Sequence, residues 1–221
     1  MNKPKRKMFS KVVLLAFLIL VILLGGLIVF TGKIFRKPGQ TTGEKIDLIV
    51  SDFDPEDPRS FERISEIVDL GEEAIPTLGN LLEHQDDHTR WASIIALGNI
   101  GYRNKTKKTE ISSILEKAFD DQDNTLRMLA AAYAVSLGNK RGIPVLIESL
   151  KICEPTRYGE PPTLVCGEAV NTLRWYTNQD FGFKYESSPE ERVKAIERWQ
   201  DWWEKNRDQL EWDAENEEFQ S

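Results

Sequence analysis

Hydrophobic positions along this chain fall into three regimes. Residues 12–30 (VVLLAFLILVILLGGLIVF) carry no charged or polar side chain in nineteen positions. As a helix rising 1.5 Å per residue they would span about 28 Å, the thickness of a bilayer's hydrocarbon core. A soluble helix of that length would show a polar stripe, and this stretch has none. Residues 31–57 then lose all helical periodicity. Prolines, glycines and acids dominate from Pro38 onward, broken only by an alternating patch at Ile46, Leu48 and Val50. The composition predicts a linker, with a strand-like arm docked on the next domain as the alternative for the patch.

From Asp57 onward every apolar pattern is helical. Asp57 is placed to cap a helix with Pro58 at its first position and Phe61, Ile64, Ile67 and Val68 on one face, ending at Gly71. A second helix carries Ile75, Leu78, Leu81 and Leu82, and a third carries Ile94, Ile95, Leu97 and Ile100. The plan then recurs. Ile75-Pro76-x-Leu78 aligns with Ile111-Ser112-x-Ile114 and Ile143-Pro144-x-Leu146, at spacings of 36 and 32 residues. The partner helices agree: Asp86-Asp87-x-x-Arg90-x-x-Ser93 returns as Asp123-x-x-x-Arg127-x-x-Ala130, each run closing on Leu-Gly-Asn, and a third partner appears as Ala169-x-x-x-Leu173. Internal periods of this size predict a stacked helical array. A last helix starts with Ser188-Pro189-Glu190-Glu191, a capping box, and carries Val193, Ile196, Trp199, Trp202 and Trp203 to about Arg207. Eight helices are expected after the linker and the apolar span. Residues 204–221, with seven acids and two bases, are expected to fray, and 211–221 to form an acidic tail.

With these motifs, residues 72–177 resemble the HEAT-like repeat family, whose helix pairs read approximately I-P-x-L … D-x-x-x-R-x-x-A-x-x-x-L-G. The resemblance implies an all-α fold: an α-solenoid of about three HEAT-like helix pairs over residues 58–210. The helices at 58–70 and 189–207 would cap its ends, and the transmembrane helix would precede it. Stacking is what such a fold needs, because a single pair of short amphipathic helices cannot bury its own apolar face. In a solenoid of this kind the second helix of each pair lines the concave side. That implication makes Trp91, Arg127, Arg174, Trp175 and Tyr176 the candidate interaction surface, with packing inside the domain as the competing reading for each. The repeated Arg90 and Arg127 also fit a structural ladder in which each arginine pairs with a turn carboxylate.

Charge sharpens the picture. Residues 1–37 hold eight basic and no acidic side chains, leaving 21 basic and 36 acidic in residues 38–221, a net charge of −15. Nucleic acid needs a basic groove and is excluded as a partner. Five positive charges in residues 1–11 against three at Lys33, Arg36 and Lys37 favour a cytoplasmic N-terminal tail and an extracytoplasmic domain. The competing reading, a cleaved signal peptide, lacks a small-x-small cleavage site after the apolar run.

No motif requires chemistry. His84 and His88, the only histidines, bracket an interhelix turn, and the chain has no His-Glu dipeptide of the kind that holds iron in HEAT-like enzymes of the deoxyhypusine hydroxylase type. Bilin lyases share the repeat, but repeat similarity does not carry activity. Asp180-Phe181-Gly182 lacks every other kinase element. Cys153 and Cys166 flank a Pro/Gly-rich loop between successive helices and form either a disulfide or a pair of buried thiols. The tryptophans of the last helix are first a core cap, and alternatively a stacking platform for sugar or peptide. The expectation is a non-enzymatic, membrane-anchored protein–protein interaction adaptor without cofactor or metal, held in the lipid bilayer by residues 12–30. Its partner would be a neutral or basic protein or peptide. The alternative is an extracytoplasmic glycan- or peptide-binding module using the Trp-rich C-terminal part.

Overall fold

Side-chain caps set the helix starts. In the computed structural model, which describes residues 40–54, 57–158 and 162–220, Asp57 accepts from the backbone N–H of Arg59. Asp86 accepts from Thr89 and Asp123 from Thr125 and Leu126, each satisfying N–H groups that the first helical turn leaves unpaired. The result is mostly helical. Nine α-helices and one two-stranded hairpin are found among the described residues: α1 Thr42–Ser51, α2 Pro58–Asp69, α3 Ile75–Leu81, α4 Asp87–Arg103, α5 Lys108–Ile114, α6 Asn124–Ser136, α7 Gly142–Ser149, α8 Val165–Thr177, α9 Pro189–Asn206, then β1 Glu211–Asp213 and β2 Glu218–Gln220. Helix α3 packs on α4, α5 on α6 and α7 on α8, while α4, α6 and α8 follow one another side by side. Helices α1 and α2 lie against α4 at one end, and α9 lies against α7 at the other. The apolar span 12–30 lies outside the described residues, and among those no helix is long and apolar enough to cross a membrane.

Two expectations need correction. Residues 40–54 are not part of a linker. Thr41 and Glu44 form a reciprocal capping box, and Ile46, Ile49, Val50 and Phe53 are buried at helical spacing. The alternating reading placed Leu48 on the inner face; it is 51% exposed, and Ile49 takes the inward position instead. Nor is 211–221 a solvated tail: residues 211–220 pair antiparallel with Trp212 opposite Phe219. The Asp213 carboxylate accepts from the N–H groups of Glu215 and Asn216 and so builds the turn. Charge counting missed it because the acids crowd the turn and outer face, while the two aromatic residues face the body of the protein.

The interior forms two apolar clusters that share one helix. Leu126, Ala130 and Ala134 of α6 belong to the first, and Met128, Ala131 and Val135 to the second. At the second cluster's far end Trp199 is 0% exposed and meets Phe181 and Trp202 edge to face. The α4–α6 contact has almost no spare space. A Cβ built on Gly98 would stand 2.2 Å from the Tyr133 ring, and one on Gly101 would stand 2.6 Å from Leu137.

Gly98→Ala opposes two effects: a helix-propensity gain of up to about 1 kcal/mol and an overpacking cost of roughly 1–3 kcal/mol. Because the clash involves the Tyr133 ring from its Cγ outward and not only a flexible tip, overpacking wins. Chemical denaturation should show a net loss of about 1–2 kcal/mol, and an unchanged or raised midpoint would refute the close-contact account.

Candidate functional site

Helix α8 carries the chain's one tryptophan outside both apolar clusters. Of the six tryptophans, Trp91 sits in the first cluster; Trp199, Trp202, Trp203 and Trp212 belong to or pack on the second; Trp175 is in neither. Helical geometry gives the reason. Cys166, Ala169, Val170, Leu173 and Thr177 are buried on one side of α8, and Trp175 lies about 200° round from Leu173. Glu168, Asn171 and Thr172 share Trp175's stripe at the preceding turns. Burial pushes the Glu168 carboxyl above its ordinary range, with the Thr163 hydroxyl opposing the shift. Beside this stripe a small cleft of about 120 Å³ is lined by Asn171, Arg174, Phe183 and Tyr185, the last 47% exposed.

The other candidate surface residues have different fates. Trp91 is corrected outright: only 6% exposed, it packs against Phe53, Phe61 and Tyr158 with ring centroids 5.0, 5.7 and 5.1 Å away. The side of α4 that carries it is covered by other parts of the same chain. Half-buried Arg127 donates to the Asp121 carbonyl in the turn before its own helix and to the side chain of Asn124, that helix's first residue. Arg174 donates to Asp180 at 3.1 and 3.0 Å and to the Phe183 carbonyl at 2.6 Å, which shapes the loop after α8. Tyr176 stacks toward Trp212 at 6.1 Å, and its phenol joins those of Tyr102 and Tyr133, all pushed up by burial. The structure therefore brings Arg174 together with Tyr185, which sequence reasoning missed, at the small cleft, and places Trp91 and Arg127 elsewhere. Tyr185 left no periodic signal because it stands in a loop.

A strap closes over the first cluster. Cys153 and Cys166 form a disulfide with Cα atoms 4.9 Å apart, at the base of two short antiparallel segments joined by Val165 N–H to Glu154 O and Thr156 N–H to Thr163 O. From this strap Arg157 donates to Asp123 at 3.1 Å and pairs with Asp87, so one guanidinium spans the starts of α4 and α6. The hydrogen bond to Asp123 holds Arg157 even more firmly protonated than usual. Its backbone N–H donates to Thr125 Oγ1. Tyr158 follows into the aromatic group beside Trp91 and His88; burial pushes its phenol up to about 12, and its hydroxyl has no hydrogen-bond partner among the described residues. A second rung lies alongside: Arg90 grips Asp121 through two bonds of 2.7 and 3.0 Å, a bidentate pair between successive turns.

His84 and His88 are engaged locally, His84 Nδ1 accepting from the Asp86 N–H. Burial works to raise the Asp86 carboxyl, and the hydrogen bonds from Thr89 outweigh it, so that it titrates below its usual range. Among the described residues no three His, Cys, Asp or Glu side chains are grouped closely enough to hold a metal ion. No family model matches the chain, and no curated protein is detectably similar to it.

Because the disulfide closes a loop of 13 residues, its removal should cost about 3 kcal/mol. The Cys153→Ser/Cys166→Ser variant should show that loss in denaturant titration, together with new protease cleavage within 154–165. A variant equally stable and equally resistant would show that the disulfide is not what holds the strap.

Proposed function

We propose that this protein is a non-enzymatic, membrane-anchored adaptor built as a short HEAT-like α-solenoid. In this reading residues 12–30 span the bilayer, residues 1–11 face the cytoplasm, and the domain beyond Gly39 lies outside. Three helix pairs, α3/α4, α5/α6 and α7/α8, are the repeats, closed by α1 and α2 at one end and by α9 with the hairpin at the other. The motif recurrence at 36 and 32 residues supports the repeat reading, and a loop-closing disulfide suits an oxidising, extracytoplasmic compartment.

The single observation that carries the adaptor reading is Trp175, half-buried on the outward stripe of α8 and the one tryptophan that joins neither apolar cluster. Contact surfaces draw most of their binding energy from a few such aromatic anchors. The stripe offers Glu168, a carboxyl whose burial makes its charge costly, so a lysine or arginine on the incoming protein or peptide would compensate it. The net −15 of residues 38–221 steers partners of the same kind.

A photo-reactive side chain at Asn171 in the full-length protein, in its native membrane, tests this. The expected result is a discrete partner adduct that disappears in Trp175→Ala and weakens with added salt, while the purified variant still unfolds in one cooperative transition. Identical adducts with and without Trp175 would overturn the assignment.

A further inference from the structure

A cleft of about 280 Å³ opens where the C-terminus of α8 meets α9 and β2. We propose that it is a binding site for a short, uncharged saccharide. The site is distinct from the α8 stripe that carries the adaptor reading, and it stands or falls separately. Its walls come from Asn178, Gln179, Trp202, Glu218 and Gln220, over a floor of buried Leu210 and Phe219.

The chemistry of these walls selects the ligand class. No lysine or arginine lines the cleft, while Glu218 and the carbonyl end of α8 make it electronegative. A phosphate or carboxylate would be repelled. A purely apolar ligand would displace water from three amide side chains and a carboxylate and offer them no hydrogen bonds in return. A lone ammonium group would use the carboxylate and the amide oxygens but offers no acceptor to the amide N–H donors. A sugar uses all of them: its hydroxyls both donate and accept, matching amides that do the same and carbonyls that only accept. Its C–H face can pack on an indole.

Trp202 is placed for that packing. Trp199 meets it edge to face at 5.8 Å, and the ring, half-buried, also forms part of the cleft wall. The polar groups are held in advance. Gln220 Nε2 donates to Asp213 at 2.8 Å and to Glu218 at 3.4 Å, and Gln179 Nε2 donates to the Thr177 carbonyl at 3.3 Å. Asn178, in the left-handed region at φ 54°, ends α8 and turns the chain so that Gln179 comes to line the rim. Pre-positioned groups lose little entropy when a ligand arrives. The hairpin that completes the cleft is anchored independently: Lys108 pairs with Glu217, and Lys140 donates to the Leu210 carbonyl.

The test uses the full-length chain in a zwitterionic detergent without a sugar headgroup. Neutral tetrasaccharides of β-1,4-linked N-acetylglucosamine, β-1,4-linked glucose and α-1,4-linked glucose are followed by saturation-transfer NMR and tryptophan fluorescence, with a lysine-rich peptide as the comparison ligand. At least one sugar should saturate with a Kd in the range of about 0.1–1 mM. Trp202→Phe should weaken it about tenfold. So should the double variant Asn178→Gly/Gln179→Ala, whose glycine suits the backbone and whose melting curve should not move. No saturation by any sugar up to about 10 mM, undiminished binding in the double variant, or displacement of the sugar by the peptide would each overturn the proposal.

Discussion

Helix α6 is wanted on two sides at once. Leu126, Ala130 and Ala134 complete one apolar cluster, while Met128, Ala131 and Val135 complete the other, so nearly the whole circumference of a 13-residue helix is enclosed. Side chains that small leave the helix axes little freedom to separate, because close packing has to be made up by backbone approach. Gly98 and Gly101 on α4 supply that approach opposite Tyr133 and Leu137. Everything on either flank is positioned through this contact, including the outward stripe of α8 and the floor of the C-terminal cleft.

The polar ties across the stack follow from the same constraint. Once the helix starts of α4 and α6 are brought side by side, Asp87 in the first turn of α4 and the capping Asp123 of α6 lie close together and need a cation between them. Arg157 supplies it from a loop far along the chain, and Arg90 bridges to Asp121 nearby. A half-exposed ion pair contributes little by itself. The strap gains its hold from combination: one disulfide, one backbone bond to Thr125, and the Tyr158 ring slotted among Trp91 and His88.

Most helix positions were legible in the chain because capping aspartates, Pro58 and the apolar period act locally. Asp57, Asp86, Asp123 and Ser188 each start a helix where their pattern predicts. Helix α1 was hidden because Ile46, Leu48 and Val50 alternate as well as Ile46, Ile49, Val50 and Phe53 recur at helical spacing, and only packing against α2 and α4 decides between the two. The hairpin was hidden because Trp212 and Phe219 are single apolar residues in an acidic run, and their pairing depends on Asp213 bonding the turn. For the candidate surface, repeat position put Trp175 forward, and the structure sets it on the side of α8 away from its packed face. Repeat position had no means of showing that Phe53, from before the repeats, and Tyr158, from a later loop, converge on Trp91. Surface assignments from repeat position fail wherever a distant segment folds back.

Native-state hydrogen exchange tests the shared-helix account directly. If α6 belongs to both clusters, its amides between Leu126 and Val135 should exchange only through global unfolding. The amides of α2 to α4 and those of α8 and α9 should then converge on the same opening free energy as denaturant is added. Slow exchange in α8 and α9 that persists after α2 to α4 have opened would mean two independently stable halves, and would contradict it.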